Sequence, residues 1–83
     1  MKTKVNDDNR VNYIMEYEGG DISDVDMLHL FASLIETGMA WSLQGSYGRT
    51  AHALIKEGWI DASGILNEER ITNELLSSNS EQQ

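Results

Sequence analysis

Between Ser23 and Gly38 the apolar residues Met27, Leu30, Phe31, Leu34 and Ile35 recur at steps of three and four, the spacing of one face of an α-helix. Ser23 is placed to cap that helix, with Ile22 and Met27 as a hydrophobic staple and Asp24 and Asp26 favourable in its first turn. Its end reads LIETGM, residues 34–39, and residues 54–59 read LIKEGW. In both stretches a glycine follows the last apolar pair and a large apolar residue follows the glycine, the signature of a helix closed by a left-handed residue. Met39 and Trp59 are expected to fold back on Leu34 and Leu54. The second of these helices is expected to start at a Ser46 cap and to carry Tyr47, Ala51, Leu54 and Ile55 as its stripe.

Weaker patterns flank this pair. Val11, Ile14 and Met15 have helical spacing behind an Asp8 cap, and Gly19 and Gly20 stop them. Near the end, Asn67 is a good cap, Leu66 and Ile71 match the staple positions, and Ile71 and Leu75 form a thin stripe. There is no proline and no sustained two-residue alternation. The fold class predicted is all-α: a small bundle of three to four short helices, with one short extended segment near residues 59–65 as the sole strand candidate. Residues 1–8 read as a flexible N-terminus, 9–77 as a single helical domain and 78–83 as a disordered tail. A chain of 83 residues builds only a modest core, so a second copy could complete its burial, through exposed parts of Trp41, Tyr47 and Trp59.

Charge narrows the functional classes. Fourteen acidic and six basic side chains give a formal net of -8, and the stretch from Val11 to Gly48 holds no Lys or Arg at all. Glu16, Glu18, Asp21, Asp24 and Asp26 lie within it, and their field repels a phosphate backbone and attracts basic protein surfaces. Two readings follow: a solvated face that aids solubility, or an acidic face for a basic partner. No run approaches the roughly 20 apolar residues of a membrane span, and the polar start MKTKVNDDNR does not resemble a secretory signal. A soluble intracellular protein is the expectation.

Templates for chemistry are poorly matched, and no catalytic residue, metal ligand or cofactor is assigned. DISDVD lacks the ligand order and central glycine of a calcium loop. His29 and His52 lack metal-ligand spacing and read as surface or boundary residues. No cysteine is present, and no serine sits in a nucleophile-elbow pattern. GSYG, residues 45–48, resembles the GXXG loop of a KH domain, with Arg49 as local basic help, and would imply RNA binding. It is not a phosphate-binding P-loop, since the lysine is missing. Packing accounts for the same residues: the glycines allow close approach while Trp41 and Tyr47 fill space between helices. Trp41, Gln44, Tyr47, Arg49 and Trp59 nevertheless form a second candidate set for partner binding or self-association, because aromatic and arginine side chains anchor interfaces.

The stretch Ile14–Ile60 as a whole resembles a family of small proteins encoded by tailed bacteriophages, sharing a YE.G turn, then LI.TG.AW.LQG, then YGR.A..LI..G.I. The resemblance implies a phage origin and the cytoplasm of the infected bacterial host, and it carries over no catalytic residue. By analogy with phage biology the expected function is a small acidic non-enzymatic accessory protein. It would bind and modulate or inhibit a host or phage protein with a basic surface, including one that holds nucleic acid. A KH-like nucleic-acid-binding module and a phage structural or assembly component are the alternatives.

Overall fold

The computed structural model describes residues 1–76, in which four α-helices follow one another: α1 (Arg10–Gly19), α2 (Asp24–Thr37), α3 (Gly45–Lys56) and the short α4 (Glu68–Ile71). A 3-10 turn, Met39–Trp41, joins α2 to α3, and a π-type turn, Thr72–Leu76, continues α4. The tail expected at 78–83 lies outside the described residues, as does residue 77. The bundle is all-α as predicted. In place of an extended segment near 59–65 there is one isolated antiparallel bridge, Ile60 to Leu66, astride a turn.

α2 is the axis of the molecule. Residues 28–35 are all buried, including His29 and Ser33, so the helix is enclosed around its whole circumference rather than along one stripe. Its start is as read from the sequence: the Ser23 hydroxyl accepts the Asp26 amide at 3.1 Å. α1 and α3 close on it through three rings. Tyr17 meets Phe31 edge-on at 5.2 Å, and Tyr47 lies 5.9 Å from Phe31 and 5.6 Å from Tyr17.

α1 is rotated from its expected register. Val11 and Met15 are exposed, while Arg10 is buried and Tyr13, Ile14 and Tyr17 pack inward. Asn9 stands at the cap position, not Asp8. The buried Arg10 explains the rotation: its Nε donates to Ser33 Oγ on α2 at 3.1 Å, and Nη1 meets Asp7 Oδ1 at 2.8 Å. An arginine can occupy the inner face when its guanidinium finds partners and its stem is packed.

The repeated LI..G endings differ. At Gly58 the pattern gives the expected double closure, with Trp59 N–H donating to Leu54 C=O at 3.0 Å and Gly58 N–H to Ile55 C=O at 3.1 Å. The same arrangement ends α1, where Asp21 N–H reaches Glu16 C=O at 3.0 Å. At Gly38 the Thr37 hydroxyl intervenes: it donates to Ser33 C=O at 3.0 Å and receives Met39 N–H at 3.4 Å, and the chain runs on into the 3-10 turn. α3 begins at Gly45 behind Gln44, so Ser46 is in its first turn and is not the cap.

Residues 1–5 lie against the helices. Met1 exchanges two backbone hydrogen bonds with Leu66, at 2.8 and 2.7 Å, and Val5 is buried. The Thr3 hydroxyl donates to the His29 carbonyl, and Lys4 N–H donates to His29 Nδ1 at 3.0 Å. Residues ahead of 9 thus contribute to the packed body. Beside this segment, the turn Asp61–Gly64 is held by the Asp61 carboxylate, which accepts the amides of Ser63 and Ile65 at 2.8 and 2.9 Å.

Candidate functional site

The acidic set is built by the end of α1, the link after it and the first turn of α2. Folding divides it in two. Glu18 accepts the Tyr47 hydroxyl at 2.5 Å, tying α1 to α3, and Asp26 pairs with Lys4 Nζ at 2.8 Å. Glu16, Asp21 and Asp24 are exposed and make no ion pair among the described residues. Three free carboxylates therefore stand at the corner between α1 and α2. Cations from outside the Lys- and Arg-free stretch reach two of its acids: Lys4 at Asp26, and Lys2 3.6 Å from Glu36.

The aromatic and loop set is not brought together. Tyr47 is 5 % exposed and belongs to the core, where burial first and the Glu18 hydrogen bond second push its phenol up to about 12. Trp59 is half-buried at the far end of α3 with the Arg70 guanidinium 4.3 Å from its ring centre. Trp41 is 53 % exposed, and with Gln44 and Arg49, both exposed, it surrounds the start of α3. Trp41 approaches that helix at Gly48, where a β-carbon would lie 3.7 Å from Trp41 Cε3. GSYG itself forms the first turn of α3, and no sheet strand occurs among the described residues, so the loop and scaffold of a KH domain are both lacking.

Sequence reasoning missed three positions. His29 is interior, and burial, together with the nearby Lys4 charge, pulls its imidazole below the usual range, partly opposed by Asp26. The neutral ring is what the structure requires, since Nδ1 accepts the Lys4 amide. Arg10 was legible in principle: Arg10, Tyr13, Ile14 and Tyr17 also have helical spacing. The turn at Asp61–Gly64 carries the Asp-first, Gly-last pattern of a type I turn. No helix of the described residues is long and apolar enough to cross a membrane.

What these features define is a small all-α domain with exposed carboxylates, Glu16, Asp21 and Asp24 of the α1–α2 region among them, and scattered exposed apolar side chains. The chain belongs to the family described as Domain of unknown function (DUF7417), which matches residues 4–76. No curated protein and no solved structure matches it.

Proposed function

We propose that this is a non-enzymatic protein-binding module whose α1–α2 corner recognises a basic protein surface, acting as a phage accessory factor that modulates a host or phage protein. The observation that carries the reading is the division among the acids: Glu16, Asp21 and Asp24 stand exposed and unpaired while Glu18 and Asp26 are used inside the fold. Several unpaired like charges act together at long range, which sets association rate more than affinity. The overall charge of -8 adds to the same steering. The aromatic set does not compete as one surface, because Tyr47 is spent in the core.

The test uses tagged protein to recover partners from infected-cell lysate, with and without nuclease, followed by association kinetics over a salt series. Glu16→Gln, Asp21→Asn and Asp24→Asn combined are expected to slow association by about tenfold and to flatten its salt dependence. Unchanged rate and salt slope in the folded triple variant would leave the corner a solubilising surface. Recovery that vanishes with nuclease would favour the nucleic-acid reading instead.

A further inference from the structure

A groove of about 170 Å³ adjoins the acidic corner, lined by Asp24, Met27, Leu28, Leu54, Trp59 and Leu75. Its floor is the buried Leu28, and the half-buried Met27, Leu54, Trp59 and Leu75 form its walls. α2 contributes Asp24, Met27 and Leu28; facing them are Leu54 of α3, Trp59 just beyond it and Leu75 of the turn after α4. Asp24 is the single polar residue of the lining, and it is one of the three unpaired acids. The Arg70 guanidinium lies over the Trp59 ring and ties α4 to it, while Arg70 Nε holds Glu74 at 3.0 Å. Trp59 is thus tied to α4.

The size and lining of this groove limit what can enter it. At about 170 Å³ it falls below the roughly 300–1,000 Å³ of sites that enclose small molecules. It does suit one large apolar side chain, the kind of anchor that a partner inserts at the centre of an interface. The larger hollow, about 340 Å³ and beside Ile60 and Leu66, offers no comparable combination: its Asp61 and Asn67 are engaged with the backbone of Ser63, Ile65, Gly58 and Arg70. Residues 77–83, SSNSEQQ, follow Leu76 closely but contain no apolar side chain and add the acid Glu81. A second copy brings another net charge of -8 to an acidic rim. A cationic partner is opposed by neither.

We infer that the groove receives a large apolar side chain from a basic amphipathic helix, with a Lys or Arg one turn away meeting Asp24. Apolar anchors at three- and four-residue steps are what a helix presents to a groove between two helices. The inference rests on the reading that the acidic corner recruits a basic protein, and it names the form of the recognised segment. The carboxylates accelerate approach, and the groove supplies residence time.

The experiment follows Trp59 fluorescence in full-length protein carrying Trp41→Phe, so that one indole reports. Three synthetic helical peptides are titrated: one with Leu and Lys on opposite faces, one with each Leu changed to Ser, and one with each Lys changed to Glu. The Leu/Lys peptide is expected to bind and shift Trp59 emission to the blue; the Ser peptide is expected to bind at least about tenfold more weakly without the shift. The Glu peptide is expected not to bind. Asp24→Lys, an exposed substitution, is expected to weaken the Leu/Lys peptide by about tenfold. Equal binding of both Lys peptides with Trp59 unmoved overturns the groove while leaving the acidic corner intact. Failure of both Lys peptides overturns both readings. A blue shift that grows with protein concentration alone, with a dimeric mass by light scattering, assigns the groove to a second copy and overturns the inference.

Discussion

Gly64 has the least room of any glycine in the chain. Its φ is +90°, and a β-carbon there would lie 2.7 Å from Ala32 O and 2.8 Å from Glu36 N, both backbone atoms of α2. At Gly38, with φ +82°, the same β-carbon meets nothing within 4 Å. Gly38→Ala therefore carries only the conformational penalty of about 1 kcal/mol, whereas Gly64→Ala must also push the turn off α2 and is expected to cost about 3 kcal/mol or more. Equal denaturation midpoints for the two variants would refute the distinction. His29 supplies a second test at this scale. Its folded pKa is depressed, so its contribution to stability is complete above 6.5, the ordinary value reached on unfolding, and declines as the pH falls from there toward the folded value. His29→Asn keeps a side-chain acceptor for the Lys4 amide without that titration. Thermal melts are expected to show a lower Tm for the variant at neutral pH, from the smaller side chain, and a shallower loss below 6.5 than in the wild type.

At the scale of elements, α2 and its Ser23 cap, the closing glycine of α3 and the Asn67 cap were all legible, because capping chemistry and apolar spacing are local. α1 was misread for a tertiary reason: Ser33 of α2 gives Arg10 a buried partner while the exposed Asp7 meets its outer nitrogen, and the inner face then excludes Val11 and Met15. The α3 start was misread because GSYG can stand as a loop or as a helical turn, and the approach of Gly48 to the Ala40 carbonyl and the Trp41 ring, visible only in three dimensions, selects the turn. Of the proposed acidic set, the residues were legible but not their division, which depends on Tyr47 and Lys4 arriving from distant positions. The Tyr47–Glu18 bond is testable as a link between α1 and α3. Tyr47→Phe is expected to lower stability by about 1 kcal/mol. Because the folded phenol is raised, its stabilisation is whole below 10.0 and is lost as the pH climbs toward about 12. An alkaline titration by tyrosinate absorbance should accordingly lose its latest component in the variant; an unaltered curve would count against the bond.

For the molecule as a whole, charge and fold stability are set against each other. A net of -8 on 83 residues leaves native-state repulsion that cations near α2 relieve only in part. Neutralising Glu16, Asp21 and Asp24 together is therefore expected to leave Tm unchanged or raise it by a few degrees, even as it slows partner association. Extending the same change to Glu18 and Asp26 is expected to reverse the gain, since those two serve Tyr47 and Lys4. Circular dichroism melts of the triple and five-fold variants decide the matter. If both melt alike, the division of the acids has no energetic meaning.

The pairing of Met1 with Leu66 bears on how the chain reaches its native state. Most contacts of a helical bundle are local and form fast, but this pair joins positions 65 apart and requires closure of nearly the whole described chain. Such a contact is expected to form late in folding and to open early. The Leu66 amide, whose acceptor is the Met1 carbonyl, would then exchange its hydrogen with solvent through partial opening, well ahead of the interior amides of α2. In that partly opened form Val5 leaves the core, His29 loses the donor at Nδ1, and the Ile60–Leu66 bridge loses the segment that flanks it.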